Sequence, residues 1–192
     1  SKFFLSFIVL VSISTQQLHA FDAVPFEENA RWRTCFTPTP KGKKKCTDML
    51  VDIIDGSTSN IYMQAYSFTS QPIADALERA AERGVEVSVI FDHGQGQSQY
   101  SQRLPLAGTK VNVYVDKPSR LAHNKVVIVD EKITVTGSFN YSKSAQYGNT
   151  ENLLAIEDPS LAQNYYKNWL RRLEKVKRQK ATRTGGYVTE TP

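Results

Sequence analysis

HNKVVIVDEKITVTGSFN, residues 123–140, is the stretch on which the reading of this chain turns. Residues 126–129 (VVIV) are β-branched throughout and favour an extended, well-packed strand. Residues 133–136 (ITVT) repeat that preference, so the two runs and the Asp130-Glu131 pair between them predict a hairpin. Its outer ends are polar. Side chains alternate along a strand, which sets His123 and Lys125 on one face, and Ser138 and Asn140 likewise. If Val129 and Lys132 flank the turn, Lys125 opposes Thr136 and His123 opposes Ser138. Imidazole, ammonium, hydroxyl and carboxamide then converge at one end of a hairpin whose strands are otherwise made of β-branched residues. A three-residue loop would send the two polar sets to opposite faces.

Helix and strand signals alternate outward from the hairpin. Residues 85–91 predict a strand, preceded by a helix that starts at Pro72, turns Ile73, Ala76, Leu77 and Ala80 inward, and stops at Gly84. Residues 60–68 predict the strand before it. Residues 46–54 predict a helix with Met49, Leu50, Ile53 and Ile54 on one face, Thr47 or Asp48 as cap and Gly56 as stop. Residues 30–36 can form a first strand. Residues 92–96 (DHGQG) leave a strand's carboxyl end, where open α/β sheets hold ligands. A short helix interrupted at Pro105 and a strand over 110–115 complete the path to the hairpin. Beyond it, residues 152–156 read as a last strand, and Leu161, Tyr165, Trp169, Leu173 and Val176 recur at helical spacing. Strand, helix and strand with short connections form a βαβ unit, so the class is α/β and that part of the sheet is expected to be parallel.

The chain has 192 residues and a formal net charge of +5. Residues 1–20 open with Lys2, pass through a short apolar run and end on Ala20, the pattern of a secretory signal peptide, with an uncleaved anchor as the alternative. The expected organisation is therefore a signal segment (1–20), one domain (21–180) and a disordered basic and polar tail (181–192), with a periplasmic or secreted location. Export permits a disulfide between Cys35 and Cys46 across CFTPTPKGKKKC; two free thiols are the alternative. Lys41, Lys43, Lys44 and Lys45 form one basic cluster. Between residues 167 and 183, eight Lys or Arg, among them Arg171 and Arg172, face a single acid, Glu174. Such runs read either as phosphate-attracting patches or as solvated helix faces.

The hairpin's polar end suits a phosphodiester. An imidazole can attack phosphorus or shuttle a proton. Lys125 offers a point charge to non-bridging oxygens, and Asn140 and Ser138 offer neutral donors, so a five-coordinate transition state can be stabilised without a metal or other cofactor. Gly137 allows a close backbone approach. Tyr66 and Tyr141 can stack on bases or pack internally; Lys117 and Arg120 precede His123 closely enough to contact a nucleic-acid backbone, and solvent exposure alone is the alternative reading of them.

His123-x-Lys125, Asp130 and Gly137-Ser138-x-Asn140 together resemble the HKD signature of the phospholipase D superfamily, and residues 30–175 are similar to its small, single-motif bacterial endonuclease branch. The resemblance implies a mixed, largely parallel central sheet between helical layers, and a two-step transfer through a phosphohistidine. It implies that Glu151 orients and charges His123. Asp130 belongs to the signature, but it falls at the hairpin turn, remote from His123, so its expected role is structural. The implied transfer needs two histidines, one as nucleophile and one as leaving-group acid. His93 lacks the motif's Lys and Asp, His19 lies in the signal segment, and there is no internal repeat. A homodimer sharing one site is the implied solution. The expected activity is metal-independent, non-specific endonucleolytic cleavage of DNA, with RNA left open as a second substrate and hydrolysis of phosphatidyl lipids as the alternative; a non-enzymatic nucleic-acid or membrane-surface binder leaves the motif unexplained.

Overall fold

The computed structural model describes residues 31–183. The expected signal segment and the last residues of the expected tail lie outside the described residues. The strands are β1 (Arg31–Thr37), β2 (Asn60–Ala65), β3 (Glu86–Asp92), β4 (Asn112–Asp116), β5 (Lys125–Val129), β6 (Ile133–Gly137) and β7 (Glu151–Glu157). They form one sheet in the order β1-β7-β6-β5-β2-β3-β4. The sheet is mixed, as expected, but its parallel share is smaller than the sequence reading made it. Only β2–β3 and β3–β4 pair in parallel, and the other four ladders are antiparallel. Parallel pairs need a crossover. The helices α2 (Gln71–Glu82) and α3 (Arg103–Ala107) provide two, whereas β5 and β6 join by a hairpin.

Helices cover both faces. The first, α1 (Cys46–Asp55), buries Met49, Leu50 and Ile54, and α2 buries Ile73, Ala76, Leu77 and Ala80, against the side of the sheet that carries Ile61, Met63, Val127 and Val129. Neither Thr47 nor Asp48 caps α1. Lys45 takes that position, and the Thr47 amide donates to Gln146 Oε1 instead. The long α5 (Pro159–Arg183) lays Ala162, Trp169 and Val176 on Tyr62, Ile90, Val126 and Ile128 of the opposite face. The Trp169 indole N–H donates to the Met63 carbonyl at 3.0 Å, which satisfies a buried donor and fastens α5 to a central strand. This helix continues through Arg183, past the point at which order was expected to end. One short helix, α4 (Lys143–Tyr147), was not foreseen; the Ser142 hydroxyl caps it by accepting from the Ala145 amide. Cys35 and Cys46 are joined in a disulfide that ties β1 to the start of α1.

The hairpin turns where expected, with the Lys132 amide donating to the Val129 carbonyl and Asp130 and Glu131 at φ 54° and 52°. Positive φ at both central residues matches the twist of the flanking strands. Lys132, however, is an extra residue outside the ladder. Pairing begins at Val129↔Ile133 and sets Val126 opposite Thr136. The register is therefore one residue from the expected one, and Lys125 does not oppose Thr136.

Candidate active site

A one-residue shift ought to separate the polar sets, yet they meet. The reason is that most of them lie outside the ladder. β5 starts at Lys125 and β6 ends at Gly137, so His123, Ser138 and Asn140 sit on chain freed from strand alternation. Gly137, at φ 147°, redirects the chain there. A Cβ on it would lie 2.3 Å from the Asn152 carbonyl oxygen, so only glycine fits against β7. The close approach is to a neighbouring strand. His123, Lys125, Ser138, Asn140 and Glu151 all line one open cleft of about 800 Å³, with Asn152, Tyr165 and Asn168 at its wall.

His123 is exposed and Lys125 is 7% exposed. The Lys125 Nζ lies 3.1 and 3.2 Å from the two imidazole nitrogens and donates to the His123 carbonyl at 2.7 Å. An ammonium has only donors, so a ring nitrogen facing it must present a lone pair. Tyr66 backs both groups. Its ring centroid is 4.4 Å from that of His123 and 4.9 Å from Lys125 Nζ. Burial lowers the Lys125 ammonium from its ordinary pKa of 10.5, against an opposing pull from Glu151. Asn140 accepts weakly from the Ser67 amide at 3.5 Å.

Glu151 is turned elsewhere than expected. Its carboxylate accepts from the Ser138 hydroxyl at 2.5 Å and from Asn149 at 2.9 Å, and no hydrogen bond joins it to His123 of the same chain. Ser138 in turn accepts from the Asn152 amide at 3.1 Å. A carboxylate that holds Ser138 leaves that hydroxyl's proton engaged, so in this arrangement Ser138 offers no free donor toward the cleft.

At the far end of the hairpin, Asp130 has a different environment. Its carboxylate accepts from the amides of Thr58, Ser59 and Asn60 and from the Thr58 hydroxyl, at 2.7–3.1 Å. Burial would raise its pKa, but these donors outweigh it and hold the group below its ordinary value of 3.8. Asp130 stitches the hairpin turn to the entrance of β2.

Two buried acids position the loop that delivers His123. Asp92 accepts from the Ala122 amide at 2.8 Å, and Asp116 receives a forked contact from Arg172 at 2.5–2.8 Å. Arg172 was expected to bind substrate. Its guanidinium is instead committed to an acid only 3% exposed, which makes it a tether between α5 and this loop. Arg171 is exposed and bonds Asn168 at the cleft wall. Lys117 and Arg120 are exposed on the tethered loop. Tyr141 is 1% exposed and packs on Phe68, so it cannot stack on a base. Sequence reasoning placed residues 92–96 at the ligand-binding edge without giving Asp92 a role, and it missed Asp116 and the packing of Tyr66 behind His123 and Lys125. Asp92 had a signal, since it ends a parallel strand at the edge where ligands bind. Asp116 had none, because its partner lies 56 positions away.

The model of a family described as "Cardiolipin synthase, PLD-like domain" matches residues 50–173. A phospholipase D of Rickettsia conorii is 42% identical over 139 residues, which are 72% of this chain and 68% of that protein. Among solved structures, the phospholipase D family member Nuc from Salmonella typhimurium superposes with a TM-score of 0.69 at 30% identity, over 76% of this chain and 95% of that one. NucT from Helicobacter pylori superposes with a TM-score of 0.70 at 24% identity, over 76% and 97%, a likeness of fold. The chain belongs to the phospholipase D superfamily.

Proposed function

We propose that this chain is an exported phosphodiesterase that works as a homodimer and cleaves DNA, and RNA, without a metal. The carrying observation is an exposed imidazole beside a nearly buried ammonium in an open cleft with polar walls. A ring nitrogen of His123 attacks phosphorus, and the bond to the leaving oxygen breaks. That oxygen takes a proton from the His123 of the second copy. Water then attacks the phosphohistidine, gives its proton back to that second imidazole and frees the first. Lys125 and Asn140 face the non-bridging oxygens. Their cationic and amide chemistry differs from the carboxylate sets that hold divalent metals. Since Glu151 does not reach the imidazole of its own chain, the histidine it would orient is that of the second copy.

A second reading, hydrolysis of phosphatidyl lipids, is favoured by the name of the Rickettsia conorii relative and by Leu121, 56% exposed on the recess beside His123. Incubation of the exported chain with plasmid DNA, RNA and labelled phosphatidylcholine in EDTA separates the two. The expected result is cleaved nucleic acid and intact lipid. Loss of all cleavage in EDTA, restored by Mg²⁺, would overturn the mechanism.

A further inference from the structure

A second cleft, of about 620 Å³, opens where the loop before α3, the start of α2 and α4 come together. Two loops wall it off from the catalytic cleft. The Thr69 and Ser70 amides both donate to the Tyr141 carbonyl at 2.9 Å, and the Tyr141 amide donates to Ser67. Asn140 faces the first cleft and Ser142 the second. Two residues of chain span at most about 7 Å, so the clefts are neighbours along the same edge of the sheet.

The chemistry of its lining is distinctive. Tyr100 and Tyr147 reach it from different elements and are 69% and 65% exposed, although most tyrosines of this fold pack inside or half inside. Lys45 donates to the Tyr147 hydroxyl at 3.1 Å, which brings the lysine-rich, disulfide-closed loop to the rim; Lys143 lines the cleft itself. Gln102 is 7% exposed, lines the cleft, and its Oε1 has no hydrogen-bond partner. The entering helix α2 carries no side-chain cap, so the partial positive charge of its first turn adds to the lysines.

Two exposed aromatic rings, lysines at the rim and in the lining, and an unsatisfied amide suit a chain of bases and phosphates. We propose that this cleft is a binding subsite for the unpaired nucleotides next to the scissile phosphate, with Tyr100 and Tyr147 stacking on bases and Lys45 and Lys143 meeting the phosphates. The inference rests on the nucleic-acid reading of the catalytic cleft and deepens it. Bases buried in a duplex cannot reach these rings, so the subsite serves single-stranded substrate.

The test uses the full exported chain with His123→Asn, which binds without cutting, and two fluorescein-labelled probes, a 12-nucleotide oligo-dT and a duplex of the same length. Adding Tyr100→Ala and Tyr147→Ala is expected to weaken oligo-dT binding about 10-fold or more and to change duplex binding less than twofold. In the chain with His123 intact, the same pair should raise KM for the oligonucleotide while turnover of bis(4-nitrophenyl) phosphate stays unchanged. Phenylalanine at both positions keeps the rings and should restore affinity. Unchanged oligo-dT binding in the alanine variant, or equal losses for both probes, would overturn the subsite and leave the catalytic reading standing. A His123→Asn chain that ignores both probes but binds phosphatidylcholine vesicles would overturn both.

Discussion

The two ends of the β5–β6 hairpin carry parts of one signature yet do opposite work. At the turn, Asp130 is saturated by five hydrogen-bond contacts from Thr58, Ser59 and Asn60. At the open end, His123 is exposed, its ring contacts are Lys125 and Tyr66, and the cleft side is free for a ligand. A carboxylate with every lone pair engaged can stabilise structure but has no capacity left for chemistry. An imidazole with an open side contributes little to the core and keeps its reactivity. Residues of one sequence motif therefore divide by their unsatisfied hydrogen-bonding capacity, which spacing in the sequence does not report.

The sharpest way to break this contrast is His123→Asn. Turnover is expected to fall by about 10³-fold or more, while the unfolding free energy from urea denaturation stays within about 0.5 kcal/mol of the parent. A variant that loses stability along with activity would make His123 part of the fold.

Lys125→Met tests the same end with a group that is both buried and charged. Turnover should drop about 10²-fold or more, with stability unchanged or slightly raised, since a desolvated cation is removed. The sign of its pH dependence follows from the lowered value. Between that value and 10.5 the folded chain binds fewer protons than the unfolded chain, so this group makes stability rise with pH across the window. Activity moves the other way, losing its cation before an ordinary lysine would titrate. An alkaline limb of kcat that Lys125→Met does not alter would remove Lys125 from the site.

Gly137→Ala sharpens the comparison, because it is a structural position at the chemical end. The new Cβ meets β7 backbone that cannot give way, and a loss of about 2 kcal/mol or more in unfolding free energy is expected. Parental stability would mean that β6 and β7 can separate freely.

Asp130→Asn is expected to have the smallest effect, about 1–2 kcal/mol of stability, with kcat of the folded fraction changed less than threefold. Because its folded value lies below 3.8, the stability that Asp130 contributes is fully present above 3.8 and is lost as pH falls through the folded value. Acid titrations of the two proteins should converge below that point. A large fall in kcat at full stability would erase the distinction between the hairpin's ends.

Legibility in the sequence followed the range of the forces involved. Among the described residues, local patterning located all seven strands and the helices α1, α2 and α5 to within a few residues, because alternation and helical spacing are short-range properties of the chain. The stretch that forms α3 carries no clear pattern, and the helix runs through Pro105 without the interruption expected there. The Cys35–Cys46 pair was also legible, being separated by only 11 positions. The short α4 escaped because five residues carry no periodicity and only its Ser142 cap announces it.

The HKD spacing pointed to the family and to His123, Lys125, Ser138 and Asn140, all of which line the cleft. Tertiary structure decided how they meet. One extra residue at Lys132 moved the register, and the end of the ladder at Lys125 and Gly137 let the polar groups converge in spite of it. It also decided that Arg172 serves Asp116, that Glu151 holds Ser138, and that Tyr141 is packed away. Each of these depends on a partner distant in sequence, and side-chain type states what a group can bond to but not which group the fold brings within reach.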